Sequence, residues 1–316
     1  MPNSGSSIFS DADGYAASLC DMLDLLALRP RDFKARLTWL ELSTVSLLRA
    51  EESAARLARW RLPPRQAHFI FPAKPGTKLI VDGVELAFGD AMFHRGGHTF
   101  HEQTTGASVW GSIAVAHDSL ATLDQVFAGS AFRLPPASRI IRMPDPARRK
   151  LLHLHAAAGR VAETNLVRIR DDNTARAIEQ DLFLAWADCM RSDAATDFRD
   201  VHRRQGDLCG RLELLMAAEP HAMATNQALC DALGVSYRTL RKACTAVLGL
   251  SAVRYQRLRR LKRVRDELLH GTPEANVAGL IARYGYSDLH RFVTEYWNIF
   301  GEMPPVAPRN RAPEDS

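Results

Sequence analysis

Two stretches near the C-terminal end repeat one pattern. They read ALCDALGVS (228–236) and GLIARYGYS (279–287), and Leu, Gly and Ser match at a constant offset of 51 residues, as from Gly234 to Gly285. Glycine supplies the positive φ with which a helix ends in a tight turn. Ser236, and either Ser287 or Asp288, are then placed to cap the helix that follows. The pattern predicts two helix-turn-helix units, each with a second helix that fits the major groove of DNA.

A strongly basic segment joins the two units. Between Ala232 and Arg265 there are ten Arg or Lys residues and no Asp or Glu. The apolar positions predicted to face a core are Val253, Leu258, Leu261, Val264 and Leu268, and the basic positions predicted to face outward are Arg254, Arg257, Arg259, Arg260, Lys262 and Arg263. A helix of roughly 27 Å would hold two recognition helices about one DNA turn (~34 Å) apart.

Residues 208–305 resemble the C-terminal domain of the AraC/XylS family of bacterial transcription regulators. The matching text is LGVSYRTL (233–240), LGLS (248–251) with Tyr255, LRRL (258–261), YGYS (284–287), Phe292, Tyr296-Trp297 and FGEMP (300–304). The sequence departs from the family pattern at two positions. Cys244 stands where Phe is usual, and Thr294 stands where a second basic residue is common.

The resemblance, carried over position by position, assigns residues to DNA. It implies base contacts from Arg238, Arg241 and Lys242 in the first unit and from His290, Arg291 and Thr294 in the second, and phosphate contacts from Ser236, Arg254, Arg257 and Ser287. Arginine that reads guanine through two hydrogen bonds is the commonest specific pairing, whereas arginines on the joining helix are expected to touch phosphate. The alternative for either set is a solvated basic face.

Composition restricts the class of protein. With 316 residues, more than one domain is the default, and 46% hydrophobic residues with both charge signs indicate a globular chain. No apolar run approaches the roughly 18 residues that span a bilayer, and no signal peptide is recognised at the start. The five cysteines have no metal-ligand spacing. We expect a cytoplasmic protein without a membrane partner.

The region before the repeats has a different pattern. Residues 37–128 contain short apolar runs separated by turns, such as HFIF (68–71) and KLIV (78–81) before Asp82-Gly83, which predicts an all-β sandwich or small barrel. A helix is expected before it, over 14–28. This region also resembles, more weakly, the cupin-like sensor domains of the same family, through Gly89-Asp90, His94 and the stretch 105–111.

These patterns predict an α+β multidomain chain. We expect an N-terminal tail and helix (1–36), a β-rich cupin-like sensor domain (37–143) and a helical linker that pairs two protomers (144–200). An all-α domain with two helix-turn-helix motifs (201–305) and a flexible tail (306–316) follow.

One histidine cluster lies in the β-rich region. His94, His98, His101 and Glu102 are ligand types for a divalent ion, but two ligands on one strand face need even spacing along one strand, and here the pair Gly96-Gly97 intervenes. Polar residues around a turn, with no metal or cofactor, are the expectation. His94, Phe100 and Trp110 are weak candidates for contacting an effector, although aromatic residues on alternating strands are usually core.

The preferred hypothesis is a transcription regulator, not an enzyme, that is controlled by a small molecule bound in the N-terminal domain. Its predicted partners are double-stranded promoter DNA, a second copy of the chain and, if it activates, RNA polymerase. The alternative is a cupin-type metalloenzyme fused to a DNA-binding module, and this alternative depends on the histidine cluster alone.

Overall fold

The structure is a computed structural model that describes residues 3–19, 22–28, 30–120, 135–164, 171–191, 195–196, 200–219, 225–270 and 277–304. Within these ranges, a β-rich N-terminal domain carries two helices on one side and a helical C-terminal domain on the other. The predicted order of β-rich domain, helical segment and all-α domain is confirmed. The predicted tail (306–316) lies outside the described residues.

Two antiparallel sheets form the N-terminal domain. Their strands are β1 (Asn3–Phe9), β2 (Leu23–Ala27), β3 (Ala35–Glu41), β4 (Val45–Glu52), β5 (Arg56–Arg61), β6 (Gln66–Pro72), β7 (Leu79–Val81), β8 (Val84–Leu86), β9 (Asp90–His94), β10 (Thr99–Thr104), β11 (Ser108–Ala116), β12 (Arg139–Arg142) and β13 (Ala195–Thr196). The larger sheet has the order β1-β3-β4-β11-β6-β9-β12-β13, and the smaller sheet has the order β2-β5-β10-β7-β8.

Side chains of both sheets alternate between an interior and an outer face, as the period of a strand requires. On β10, Phe100 belongs to the core between the sheets, whereas His101 lies on the outer face near the C-terminal domain.

The hairpin from β7 to β8 turns at Asp82 and Gly83, which have φ values of 44° and 84°. Two consecutive positive φ values are typical of a type I′ turn, so the turn predicted at this dipeptide is confirmed.

Ten helices occur in the described ranges. They are α1 (Ala12–Ser18), α2 (His117–Leu120), α3 (Asp145–Thr164), α4 (Asp172–Met190), α5 (Asp200–Ala218), α6 (Asn226–Leu233), α7 (Tyr237–Leu248), α8 (Ala252–His270), α9 (Val277–Arg283) and α10 (Leu289–Phe300), and Pro30–Asp32 forms one 3-10 turn. Helices α3 and α4 pack on the larger sheet, where Leu151 and Trp186 are fully buried. No helix among the described residues is long and apolar enough to cross a bilayer.

The start of the chain differs from the prediction. A tail and one helix were expected over 1–36, but β1 and β2 are strands, and α1 is only seven residues long. The apolar side chains of β2 explain the difference. Leu23 and Leu25 belong to the core between the sheets, while Leu26 packs against the C-terminal domain, so both faces of the segment are buried. A strand buried on both faces is a continuous apolar run, which periodicity does not separate from a helix.

The C-terminal domain packs against the outer face of the smaller sheet. Leu26 of β2 and Leu57 of β5 belong to the same apolar cluster as Leu212 of α5 and Leu248 of α7. Burial of apolar side chains contributes roughly 25 cal/mol per Å². The two domains are therefore joined by a core as well as by polar contacts.

Candidate nucleic-acid interface

The first helix-turn-helix unit consists of α6, a short turn and α7. Thr225 caps α6 by accepting from the Ala228 amide at 3.2 Å, and Gly234 ends this helix in the left-handed region with φ 66°. Ser236 then caps α7, with its Oγ 3.2 Å from the Thr239 amide nitrogen. The helix ends and caps predicted from this stretch are confirmed.

The second unit repeats this arrangement with α9 and α10. Gly285 follows α9 with φ 70°. Asp288, rather than Ser287, caps α10, because its Oδ1 accepts from the His290 amide at 2.8 Å and from the Arg291 amide at 3.3 Å. The two units also share their inward positions, since Leu240 and Phe292 are both buried.

The side chains predicted to read bases lie on the exposed faces of the two recognition helices. Arg238, Arg241 and Lys242 are exposed on α7, and His290, Arg291 and Thr294 are exposed on α10. In the first unit, no ion pair to these three cations is found among the described residues. In the second unit, Arg291 lies 3.5 Å from Glu295, and Thr294 donates to the carbonyl of His290. The first recognition helix therefore presents the more available charge.

The predicted outward face of α8 is wrong for several basic residues. Arg259 is buried, with Nη1 2.6 Å from Asp24 Oδ1 and Nη2 3.2 Å from Glu213 Oε1. Lys262 lies 3.0 Å from Asp13, and Arg260 donates to the carbonyl of Tyr284. The outward prediction was wrong because α8 has neighbours on most sides, including β2 and α5 from outside the repeat.

The side chains predicted to contact phosphate differ in whether they already have an ion-pair partner in the protein. Ser236 and Ser287 are exposed at the two turns, and Arg254 is exposed on α8. Arg257 is also exposed, but its guanidinium pairs with Glu295 of α10, with Nε 3.0 Å from Oε2. A DNA phosphate would have to compete with this carboxylate for Arg257.

Glu213 of α5 is the centre of the polar contact between the domains. It accepts hydrogen bonds from Tyr255 and Arg259 of α8, and His101 of β10 lies 3.5 Å away. Burial alone would raise the pKa of Glu213, but Arg259, His101 and Arg59 together lower it to about 2. A buried carboxylate kept charged by its partners is costly to leave unpaired.

Two further contacts tie the C-terminal domain to the N-terminal domain. Gln103 of β10 donates to the carbonyl of Ala246 at 2.8 Å, at the last turn of the recognition helix α7. Arg31 donates to the carbonyl of Trp297 on α10 at 2.8 Å and lies over the indole ring. Each recognition helix is thus contacted by the N-terminal domain near its C-terminal end.

The histidine cluster does not form a ligand set. His94 Nδ1 and His98 Nδ1 are 3.1 Å apart, but His101 is on the outer face beside Asp82 and Glu213. Glu102 points to the opposite side of β10 and pairs with Arg56 at 2.5 Å. In the ranges that the structure covers, no group of three His, Cys, Asp or Glu is placed to hold a metal ion.

The candidate effector contacts are inside the N-terminal domain. His94, Phe100 and Trp110 are all buried, and the His94 ring stacks on Phe100 with 3.9 Å between centroids. Trp110 lines an interior cavity of about 210 Å³ together with Trp60 and His68. His94 instead lines a cleft of about 700 Å³ between the sheets and α5. The three residues therefore do not line one common pocket.

Sequence reasoning did not find the acidic partners of α8. Asp13, Asp24 and Glu213 lie on three separate elements far from α8 in the chain. One signal existed for Glu213, since in a helical stretch it lies four residues after Cys209 and three before Met216, on the same side of the helix as these apolar residues. An acid on the apolar face of a helix needs a buried partner.

Comparison with known proteins identifies the C-terminal domain. The family described as "Helix-turn-helix domain" matches residues 229–307, which contain the first unit from the fourth residue of α6 onward, the second unit and the helix between them. The C-terminal domain is a helix-turn-helix domain of the AraC type. Its match begins inside α6, so α5 with Glu213 precedes the matched residues.

Three solved structures are similar to larger or smaller parts of the chain. The AraC-like transcriptional activator CuxR is 14% identical, with 84% of this chain and 96% of that chain covered and a TM-score of 0.45. ToxT from Vibrio cholerae is 12% identical, with 83% and 97% covered and a TM-score of 0.31. An RmlC-like cupin from Shewanella frigidimarina is 12% identical, with 27% and 77% covered and a TM-score of 0.22. The weak likeness of these three structures carries no argument about function.

Proposed function

We propose that this protein is a sequence-specific DNA-binding transcription regulator, and that a small molecule bound in its N-terminal domain controls it. The first recognition helix carries the proposal. Arg238, Arg241 and Lys242 project from the exposed face of α7, which begins with a capped N-terminus and packs on the rest of the unit through Leu240. A rigid helix with exposed arginines is suited to reading guanines in the major groove.

Control by the N-terminal domain is supported by the contacts between the domains. Gln103 binds the end of α7, and Asp24 binds Arg259 of α8. A ligand that moved β2 or β10 would therefore change the placement of the helix that reads DNA. A ligand changes such an equilibrium only through its different affinity for the two arrangements.

The test uses the full-length protein. A binding site is first selected from a library of random duplexes, and binding to this site and to a scrambled duplex is then titrated at several salt concentrations. Specific binding that depends on Arg241, and that Arg204→Ala leaves unchanged, supports the proposal, because Arg204 is equally exposed but lies on α5. Failure to select any preferred sequence would overturn it.

The assembly of two protomers through α3 and α4 is part of the same proposal. Their apolar faces pack on the larger sheet, so only their outer faces are open to a second copy. The mass of the full-length protein in solution tests this point, and a monomer at micromolar concentration would contradict it.

If the protein is an activator, it also recruits RNA polymerase. Transcription from the selected site in a purified system measures this recruitment.

A further inference from the structure

A cleft of about 700 Å³ separates the N-terminal domain from α5. One wall is formed by Arg59 of β5 and by the segment from His94 to Thr99, and the other wall is formed by α5. This volume is in the range of sites for small molecules, roughly 300–1,000 Å³. The interior cavity beside Trp110 is smaller, about 210 Å³.

One of two glycines on α5 leaves open space in this cleft. Gly206 and Gly210 lie one helical turn apart on the wall. A Cβ atom added at Gly206 would lie 3.2 Å from Cγ of Asp82, whereas one added at Gly210 would meet no atom within 4 Å. Glycine inside a helix is less stable than alanine, and at Gly210 its effect is to leave the cleft unfilled.

Two residues that line the cleft, Arg59 and His94, each carry a buried nitrogen atom that lacks a partner in the described part of the chain. The Nε of Arg59 and the Nε2 of His94 are buried and have no hydrogen-bond partner among the described residues. His94 is only 1% exposed. Its Nδ1 lies 3.1 Å from both the hydroxyl of Ser138 and the Nδ1 of His98. The Nε–H of Arg59 is a donor whichever tautomer His94 adopts, and a buried donor without an acceptor is costly.

The cleft has an excess of positive charge. Arg59, Arg95, Arg203 and Arg211 line it, against the two acids Asp82 and Asp207. Arg59 is only loosely paired, since its Nη1 lies 3.9 Å from Glu213. At the rim, Leu214 is 67% exposed and adds an apolar surface. Arginine forms its strongest hydrogen bonds with carboxylate or phosphate oxygens.

We propose that the cleft binds a small organic anion, with its carboxylate or phosphate on Arg59 and its apolar part against Leu214. This deepens the proposed function, because the anion would be the effector of the regulator. Binding of the anion would also change the polar contact between the two domains. An anion on Arg59 competes with Glu213, the carboxylate that holds Arg259 and Tyr255 of α8.

The experiment compares two matched pairs of probes on the full-length protein. Phenyl phosphate is compared with phenol, and phenylacetate with phenylacetamide, by calorimetric titration. We expect at least one anion to bind and both neutral compounds to fail, and the two arms show whether phosphate or carboxylate is preferred. Losing one charge-assisted hydrogen bond is worth about 1.5–3 kcal/mol, so Arg59→Gln should weaken binding by about 10- to 100-fold.

Two further variants keep the test decisive. Gly210→Leu fills the cleft from a position whose Cβ has open space, so it should fold and lose anion binding. Arg61→Gln is the matched control, because Arg61 lies two residues along β5 and outside the cleft, and it should bind like the wild type. Equal binding of anions and neutral partners, unchanged binding by both cleft variants, or no anion binding at millimolar concentrations would overturn the proposal.

The same preparations are also titrated with the selected DNA duplex in the absence of probe. Specific DNA binding by the wild type together with failed anion binding overturns only the cleft. Absence of specific DNA binding overturns the proposed function, whatever the cleft binds.

Discussion

Helix α7 and most of α8 come from one acid-free stretch of sequence, residues 232–265, yet their basic side chains have different surroundings. On α7, Arg238 and Arg241 are exposed. On α8, Arg259 is buried between Asp24 and Glu213, and Lys262 is paired with Asp13. Asp13, Asp24 and Glu213 come from distant parts of the chain, and Asp266 of α8 itself is a second partner of Lys262. Basic composition therefore locates a DNA-binding region without showing which of its cations remain available to DNA.

The largest effect is expected from removing the buried cation of α8. Arg259→Ala leaves Asp24 and Glu213 without their main partner, and breaking a buried ion pair costs about 3–5 kcal/mol. We expect this loss in the free energy of unfolding, followed by chemical denaturation of the full-length protein. Arg254→Ala on the exposed side of α8 is the control and should change it by less than about 0.5 kcal/mol. Similar losses for both would show that Arg259 is not buried as described.

The next largest effect is the pH dependence of stability that arises from Glu213. The pKa of Glu213 is lowered from 4.5 to about 2 in the folded protein. Its ionisation therefore stabilises the fold above about pH 4.5, and this stability is lost as the pH falls toward 2. A shift of this size corresponds to an effect of roughly 3 kcal/mol.

Melting curves of the wild type and Glu213→Gln between pH 7 and pH 2 test this expectation. The wild type should be more stable at neutral pH, and the difference should shrink below pH 4.5. A difference that stays constant over this range would mean that ionisation of Glu213 does not stabilise the domain contact.

Removing the exposed cations of α7 should weaken DNA binding without changing the stability of the fold. Arg241→Ala should leave the melting temperature unchanged, because the side chain has no ion pair in the part of the chain that the structure describes. Its affinity for the selected duplex should fall by about 1–3 kcal/mol, with relaxed preference at one base pair. Arg238→Ala is expected to act in the same way at a neighbouring base pair. An equal loss on a scrambled duplex would assign both side chains to phosphate.

Local sequence signals predicted the ends of the helix-turn-helix units well. Gly234, Ser236 and Gly285 act within a few residues, so their roles follow from residue type. The strands β1 and β2 and the partners of Arg259 were missed for a common reason. They depend on contacts between segments far apart in the chain, which hydrophobic periodicity does not encode.

The smallest expected effect is a difference in the salt dependence of DNA binding between variants of the two exposed arginines of α8. Arg254 is exposed, whereas Arg257 already pairs with Glu295 of the second recognition helix. If Arg254 touches phosphate, Arg254→Ala should weaken binding to the selected and scrambled duplexes alike and lower the salt slope by about 0.9, the value for one contact. Arg257→Ala should change the slope less, because Glu295 competes with phosphate for its guanidinium, and it should also destabilise the packing of α10 on α8. Salt titrations of both variants, with melting curves of the same samples, measure the two effects. A full loss of one contact in Arg257→Ala, with an unchanged melting temperature, would mean that the Arg257–Glu295 pair opens when DNA binds.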